Sequence, residues 1–431
     1  MKKAKVVEKK YLLPFILVTS LFALWGFAND ITNPMVAAFQ VVMELPVAKA
    51  ALVQFAFYGG YATMAIPAAL FVQKYTYKKG ILLGLALYAT GALLFWPAAQ
   101  NQAFGFFLVS LYILTFGLAF LETTSNPFIL SLGAQESATR RLNLAQAFNP
   151  MGSLLGMFVA SRIVLASLES DKRNAFGELI FPTLDEATKA AIRTNDLMII
   201  RNPYVILGLV VIVMFVVVAV AKMPQTGHSN NIHPLQSFKR LINNRVYREG
   251  VLAQVFYVAA QIMCWTFIIQ YADNLGIDKA TAQMYNIVAM SIFLGSRFIS
   301  TFLMKYVNSR RLLMLFAIGG IITITGTILI EGMVGLYCLV ATSAFMSLMF
   351  PTIYGIALEG IKEDATLGAA GLVMAIVGGA LMPPLQGMII DIKQIGPLPA
   401  VNVSFVLPLI SFVVITIYGY RTYRFQKILT N

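Results

Sequence analysis

Apolar segments long enough to cross a lipid bilayer recur about every 30 residues along the chain, and this repetition limits how it can fold. A helix needs about 20 residues to span the hydrocarbon core of a bilayer. The charged fraction of 12% is about half of that in soluble domains. We therefore predict an all-α membrane protein with twelve transmembrane helices. Numbered as spans 1 to 12, they are placed at 12–40, 50–72, 80–100, 103–133, 140–168, 203–222, 249–273, 281–304, 311–330, 333–360, 367–391 and 400–421.

The basic residues are distributed unevenly between the two sides that these spans define. Of the 32 lysines and arginines, 22 lie in the termini and in the connections on the same side, and 8 lie on the other side. An excess of this kind marks the cytoplasmic side. We predict a multi-pass protein of the plasma (inner) membrane, embedded in the lipid bilayer with both termini in the cytoplasm. The basic residues form no single cluster, so no nucleic-acid partner is expected despite the net charge of +13.

The composition shifts most sharply near the middle of the chain, at a polar and basic stretch. We predict an N-terminal six-helix bundle at 1–222, a cytoplasmic linker at 223–248 and a C-terminal six-helix bundle at 249–431. The two halves contain similar short stretches, since KYTYKK after span 2 resembles KYVNSRR after span 8. Parallel internal repeats are typical of transporters, so the two bundles are expected to be pseudo-symmetric.

A carboxylic acid lies deep inside span 4, in the run FGLAFLETTSNPF. Placing Glu122 in hydrocarbon costs about 3 kcal/mol, so such a residue is normally retained for a function. Asn126 falls on the same helix face four residues later. Pro127 has no backbone N–H, which leaves the carbonyl of Thr123 without its usual partner. Span 4 therefore carries a candidate proton-binding group inside a polar site.

Spans 1 and 5 repeat this combination of polar side chains and proline. Span 1 carries Asn29, Asp30 and Asn33, followed by Pro34. Span 5 carries a polar stripe that includes Gln146 and Asn149, followed by another proline. Because the pattern recurs beside two buried acids, we predict one shared aqueous cavity, with Asp30 and Glu122 as proton-coupling residues.

The second half contributes amide and aromatic side chains and no deep carboxylate. We predict that substrate contacts there come from Gln261 and Trp265 of span 7, Phe293 of span 8, and Phe350 and Tyr354 of span 10. Aromatic residues at helical spacing also occur in ordinary cores, and buried amides also join helices. Packing is therefore the alternative interpretation for each of these residues.

The sequence resembles the L-fucose–proton symporter family of the major facilitator superfamily nearly from end to end. The stretches that carry the resemblance are FALWGFAND, LETTSNPF, RLNLAQAFNPMGS, FYVAAQIMCWTFIIQYA, FMSLMFPTIYG and VMAIVGGALMPPLQG. The resemblance implies two six-helix bundles with the major facilitator fold, a central sugar site and alternating access.

The resemblance also implies roles for particular residues. Glu122 matches the glutamate of span 4 that couples protonation to sugar, and Gln146 and Asn149 match sugar-site amides. Relatives that carry glucose or galactose tend to have glutamine where Glu122 stands, so this position favours L-fucose. The sequence departs from the family at span 1, where the family's aspartate aligns with Asn33 and Asp30 stands in place of an asparagine.

We therefore expect a proton-coupled symporter that imports a neutral monosaccharide, most specifically L-fucose, and that functions as a monomer. Glucose, galactose or another hexose is an alternative substrate, and a proton-driven exporter of small molecules is an alternative function. An enzyme is not expected, because no nucleophile–base or metal constellation is evident. Both histidines lie in the linker without acidic or cysteine neighbours, so no metal or cofactor is expected and protons are the coupling ion.

Overall fold

A computed structural model describes residues 7–133, 145, 148–224, 234–303, 306–359, 361 and 364–430. Both histidines lie outside these residues. The span numbers are kept for the helices that form. In the first half they are Leu12–Thr32 and Met35–Val42 (span 1, after the turn Lys9–Tyr11), Val47–Ala50 and Leu52–Lys74 (span 2), Tyr77–Leu93 and Phe95–Gln100 (span 3), Phe104–Ser131 (span 4), Phe148–Val159 (span 5) and Glu186–Val220 (span 6). Span 5 ends in a π-helical turn at Ala160–Val164 and a 3₁₀ turn at Leu165–Ser167. Two short turns, Glu169–Asp171 and Phe181–Thr183, precede span 6.

The second half begins with a short helix, Pro234–Asn243, called here the linker helix. Its spans are Arg245–Thr266 and Ile268–Asp273 (span 7), Lys279–Leu303 (span 8), Ser309–Leu329 (span 9), Met333–Met346 and Met349–Leu358 (span 10), Ala365–Met374, Ala375–Val377 and Gly378–Asp391 (span 11), and Ala400–Ser404 and Val406–Thr430 (span 12). Between spans 11 and 12, β1 (Gln394–Ile395) pairs antiparallel with β2 (Leu398–Pro399).

Among the described residues, 11 helices are long and apolar enough to cross a membrane. They correspond to every predicted span except span 8. The helix of span 8 has 25 residues, which is enough to cross, but its polar residues include Lys279, Gln283, Asn286 and Arg297. The order and number of the helices agree with the twelve predicted spans.

The helices pack in two groups whose internal contacts repeat. In the first group the packed pairs include spans 1 and 5, 2 and 4, 3 and 4, and 3 and 6. In the second group they include spans 7 and 11, 8 and 10, 9 and 10, and 9 and 12, which are the same pairs shifted by six. The groups meet along spans 2 and 11 and along spans 5 and 8. This repetition gives the pseudo-symmetry expected from the echoes in the sequence.

The predicted start of span 6 at residue 203 is wrong, because the helix begins at Glu186 and runs for 35 residues. The side chain of Asp185 accepts a hydrogen bond from the backbone N–H of Thr188 and caps the helix. Hydropathy alone places the start near residue 203, where the apolar run begins. The capping residue and the helix-forming residues after it extend the helix beyond the hydrocarbon.

Glycines allow spans 1 and 5 to approach each other closely. A side chain on Gly152 would overlap the backbone carbonyl of Ala23 in span 1, and one on Gly156 would overlap that of Phe27. A side chain on Gly26 would in turn overlap a carbonyl of span 5. Small residues at a helix interface permit such contact in membranes, where helices are held mainly by close packing. The polar residues of spans 1 and 5 are therefore brought together by glycine contacts.

The linker helix packs on the second half of the chain. Its Leu241 lies in a small apolar cluster with Tyr247, Ala357 and Leu372. The guanidinium of Arg240 donates to both carboxylate oxygens of Asp364 at 2.7 and 2.6 Å. These bonds lower the pKa of Asp364 to about 2, so this ion pair stays charged at any physiological pH.

We expect Gly152→Ala to destabilise the protein, because the added methyl group can be accommodated only if span 1 moves away from span 5. Overpacking of this kind costs about 1–3 kcal/mol. The melting temperature in detergent measures the effect, and the variant should melt at a lower temperature than the wild type.

The matched control is Gly295→Ala, since Gly295 lies within the helix of span 8 and faces open space. Alanine favours a helix by about 1 kcal/mol over glycine, so this variant should melt at the same or a higher temperature. Equal melting temperatures for Gly152→Ala and the wild type would contradict the packing described here.

Candidate functional site

Span 1 breaks where asparagine and proline follow the buried acid. Its first helix ends at Thr32 and the next begins at Met35. The N–H groups of Ala37 and Ala38 both donate to the carbonyl of Pro34. The carbonyl of Asn33 instead accepts a hydrogen bond from the side chain of Gln54 in span 2, at 3.4 Å. Proline thus converts one turn of the helix into a polar surface inside the protein.

Asp30 lies in the last turn of the first helix, beside this break, and is 1% exposed. The Asn33 side-chain amide donates to its carboxylate at 3.3 Å. Asn29 of span 1 and Ser153 of span 5 also direct polar side chains at the carboxylate. Tyr58 of span 2 donates to the side-chain oxygens of Asn29 and Asn33, each at 3.1 Å. The acid is therefore held within a polar network from spans 1, 2 and 5.

Glu122 has a different setting, because its side chain is partly exposed although it lies within span 4. It lies close enough to Tyr61 of span 2 and Tyr354 of span 10 for its charge to act on both hydroxyl groups. Tyr354 belongs to the second half of the chain. Glu122 therefore lies on the side of the first bundle that faces the second.

Two of the predicted polar residues near these acids are not described in full. Gln146 lies outside the described residues. For Asn126 the structure describes the backbone, which is helical within span 4, and not the side chain. Both remain predictions.

Asn149 lies at the interface between spans 1 and 5 and is partly exposed. Its side-chain amide donates to the backbone carbonyl of Phe22 in span 1 at 3.3 Å. This bond fixes the orientation of the amide and leaves its oxygen as the acceptor. Asn29 is likewise partly exposed, and its side-chain oxygen accepts from Tyr58.

Trp265 of span 7 is 4% exposed and packs inside the second bundle. Its indole N–H donates to the hydroxyl of Ser343 in span 10 at 3.1 Å. Its ring makes an edge-to-face contact with Phe293, with 5.1 Å between the centroids. The guanidinium of Arg297 lies over the ring of Phe293, 5.0 Å from its centroid. These two aromatic residues therefore form a packed wall.

Three of the substrate contacts predicted for the second bundle are partly exposed: Gln261, Phe350 and Tyr354. The rings of Phe350 and Tyr354 are nearly parallel, at 19°, with centroids 6.3 Å apart. Tyr257 supports Phe350 from span 7 and is itself anchored by a bond to the carbonyl of Met346 at 3.2 Å. Of these three residues, Tyr354 lies within reach of the Glu122 charge.

The structure divides the described site residues into two sets. One set is partly exposed and can meet a solute: Asn29, Glu122, Asn149, Gln261, Phe350 and Tyr354. The other set is buried in contacts within the protein: Asp30, Asn33, Trp265 and Phe293. The buried residues pack behind the partly exposed ones, and in this conformation a ligand cannot reach them.

Sequence reasoning missed Gln54 and Tyr58, which complete the polar network around Asp30. The two residues lie four apart in span 2, on the same face of its helix. An amide and a hydroxyl at this spacing in an apolar segment were a usable signal.

The two halves are joined at one end of the molecule, called here the loop end and formed by residues 43–46, 165–185, 274–278 and 392–399. Lys279 of span 8 is 1% exposed and pairs with Asp171 at 3.3 Å and with Asp273 at 3.0 Å. Arg173 also pairs with Asp273. Nearby, Asp391 accepts from the backbone N–H groups of residues 47 and 48. The loop end is therefore closed by charged contacts across the halves.

Known proteins resemble the chain along almost its full length. The family model described as Major Facilitator Superfamily matches residues 15–383. An L-fucose–proton symporter of Haemophilus influenzae is 66% identical over 426 residues, which cover 98% of this chain and 100% of that protein. The L-fucose–proton symporter of Escherichia coli is 33% identical over 419 residues, or 96% of this chain and 93% of that protein. A glucose/galactose transporter of Brucella abortus is 29% identical over 418 residues, or 96% and 94%.

Solved structures agree with this result. Crystal structures of the E. coli fucose–proton symporter, one of them in the outward conformation, match with a TM-score of 0.71 at 32% identity, covering 96% of this chain and 99% of that chain. A bacterial homologue of the human lysosomal transporter Spinster, inward-facing and occupied, gives a TM-score of 0.72 at 13% identity, covering 97% and 98%. The second likeness shows the fold alone. Together these matches confirm the predicted architecture of twelve spans in two bundles.

We expect Lys279→Met to weaken closure of the loop end. Removing the lysine leaves the carboxylates of Asp171 and Asp273 with one cation fewer, and breaking a buried pair typically costs about 3–5 kcal/mol. Nitroxide labels at the exposed residues Ala175 and Glu331 report the separation of the two halves by pulsed electron resonance. The distance distribution should shift to longer values.

Lys172→Met provides the control, because Lys172 is exposed on the same loop and makes no ion pair with the described residues. Its distances should match those of the wild type. A Lys279→Met distribution identical to that of the wild type would show that these charges do not hold the loop end closed.

Proposed function

Because the chain belongs to the L-fucose–proton symporter family of the Major Facilitator Superfamily, we propose that it imports L-fucose together with protons by alternating access. It acts as a transporter and not as an enzyme. The identity of 66% to a symporter of this name, over nearly the whole of both chains, supports the substrate.

The observation that carries the proposal is the position of Glu122, a partly exposed carboxyl group inside a membrane span and opposite the second bundle. An ionised carboxylate resists enclosure in a dry space, because it loses its hydration. Protonation removes this obstacle. The loaded, protonated carrier can therefore reorient, whereas a carrier loaded with sugar alone is held back.

The partly exposed residues form the proposed sugar site. The sugar hydroxyl groups pair with Asn29, Asn149 and Gln261, and with the Glu122 carboxyl group. An apolar sugar face rests on the aromatic pair Phe350 and Tyr354. Gln146 and Asn126 are retained as proposed contacts on the basis of their spacing in the sequence.

The buried residues take supporting roles in this proposal. Asp30, held by Asn33 and its neighbours, is a second proton-coupling group. Trp265 and Phe293 shape the wall behind the sugar, and they reach the substrate only after span 7 or span 8 moves. Each proton that enters at a membrane potential of 100 mV supplies about 2.3 kcal/mol to accumulation.

The same proposal sets the orientation and the boundaries of the halves. The excess of basic residues supports a cytoplasmic location for both termini of a plasma (inner) membrane protein. The loop end then faces outward, so this conformation is closed to the outside.

The halves are 1–222 and 249–431, with the linker at 223–248, and the contacts of the linker helix support its association with the second half. Because both halves contribute to one site, a monomer suffices for transport.

Substrate identity can be tested with lightly buffered cells that express the protein, by following the external pH after each sugar is added. Symport with protons makes the medium more alkaline. L-Fucose should give the largest initial rate, and D-glucose and D-galactose should give little response. A larger response to glucose or galactose would favour the activity named for the more distant Brucella relative.

We expect Glu122→Gln to abolish uphill accumulation of L-fucose while retaining exchange of labelled for unlabelled sugar. The amide preserves hydrogen bonding and size but cannot bind and release a proton. Accumulation driven by a pH gradient and counterflow at equal pH, both in proteoliposomes, separate the two properties.

Glu44→Gln is the control for this experiment, because Glu44 lies at the loop end and pairs with Lys189 and Arg193. It should keep accumulation within about twofold of the wild type, since an ion pair near the surface is typically worth less than 1 kcal/mol. Full accumulation by Glu122→Gln would remove Glu122 from the mechanism.

A further inference from the structure

A continuous chain of hydrogen bonds leads from Asp30 to the second half of the protein. Asn33 donates to Asp30 at 3.3 Å, and its side-chain oxygen accepts from the Gln54 amide at 3.3 Å. The same amide nitrogen of Gln54 lies 3.0 Å from the Thr266 hydroxyl, to which it donates. Thr266 is the last residue of the first helix of span 7. The chain therefore connects spans 1, 2 and 7.

All four members of this chain are enclosed by protein. Gln54 is 0% exposed, and Asp30, Asn33 and Thr266 are 1–2% exposed. In such surroundings water does not compete for the hydrogen bonds, and each bond depends on its neighbours. The side-chain oxygen of Gln54 has no partner within the described part of the chain. The position of Gln54 between the two halves is therefore fixed by the hydrogen bonds that its amide N–H groups donate.

We propose that Gln54 is a positioning residue that transmits the ionisation of Asp30 to span 7 and so promotes proton release when the outer side closes. This inference rests on the proposed symport. An ionised Asp30 accepts strongly from the Asn33 amide, because hydrogen bonds to charged acceptors are stronger than neutral ones. That bond turns the oxygen of Asn33 toward Gln54, whose amide can then donate to Thr266.

A protonated Asp30 acts in the opposite sense. Its carboxyl group is a weaker acceptor and carries a donor of its own, so it no longer holds the Asn33 amide in this orientation. The contact between Gln54 and Thr266 is then weakened. By linkage, forming that contact when the loop end closes favours the ionised acid. The proton therefore leaves Asp30 while the outer side is shut, toward the cytoplasm.

The groups around Asp30 are compatible with this assignment. Ser153 faces it from span 5, and Asn29 and Asn33 face it from span 1. Tyr58 of span 2 is the titratable neighbour, and its hydroxyl donates to Asn29 and Asn33. Glu122 acts on Tyr61, one turn further along span 2. Thr266 brings an uncharged hydroxyl from span 7, so the contact between the halves carries no charge of its own.

The test measures initial L-fucose uptake into proteoliposomes at fixed external pH while the internal pH is varied. Thr266→Val keeps the size of the side chain and removes its hydroxyl, and Gln54→Leu removes the amide. For both variants we expect normal uptake only at a higher internal pH, with the profile shifted by about one unit, which corresponds to a tenfold change in proton affinity. A low proton concentration inside compensates for impaired release, whereas it does not repair damaged packing.

Two controls accompany these variants. Thr266→Ser retains the hydroxyl and should follow the wild-type profile. Gln254→Leu removes another glutamine that is 0% exposed, whose amide atoms have no partner among the described residues, and it should also leave the profile unchanged. Should Gln54→Leu fail to fold, the Thr266 pair decides the question.

A Thr266→Val profile that coincides with the wild type overturns the inference and leaves the proposed symport intact. So does a loss of uptake that is equal at every internal pH, or an equal shift in Thr266→Ser. A wild-type protein that does not couple L-fucose to protons overturns the proposed function, and the inference with it.

Discussion

The exclusion of water from the membrane interior is the constraint on which this structure depends. A carboxylate there is costly unless it is protonated or surrounded by polar partners. Asp30 is surrounded, by amides and hydroxyls from three spans. Glu122 lies partly exposed within reach of tyrosines from both halves. The two acids thus have different surroundings, one enclosed by polar partners and one partly exposed, and the proposed transport cycle uses this difference.

The repeated packing of the two bundles explains how such a site is shared. The same helix pairs meet in each half, so the contact surface between the halves follows an approximate twofold relation. The proposed site residues are nevertheless unequal, with the acids and most of the amides in the first half and the aromatic pair in the second. A site between unequal halves can bind hydroxyl groups on one side and an apolar face on the other. Charged pairs such as Lys279 with Asp171 close one end without entering this site.

The sequence was sufficient to predict the fold, since twelve apolar segments and a polar middle stretch determine the number and order of the spans. It also located two acids within spans, Asp30 and Glu122, because an acid in an apolar segment is conspicuous; their proton-coupling role stays a prediction. It misplaced the start of span 6, where a capped helix extends beyond the hydrocarbon into a region that hydropathy assigns to a loop. The division between accessible Phe350 and enclosed Trp265 was not predictable, because both are aromatic residues at helical spacing. Gln54 was missed because its contact with Thr266 joins residues far apart in the sequence, although its spacing from Tyr58 places both on one helix face.

Voltage-driven accumulation tests the central claim most directly. Proteoliposomes are held at equal pH on both sides while a potassium diffusion potential is imposed, and the steady-state ratio of internal to external L-fucose is measured. If one proton enters with each sugar, a potential of 100 mV, negative inside, should give a ratio of about fifty. A ratio that stays near one at every potential would contradict proton-coupled transport by this protein.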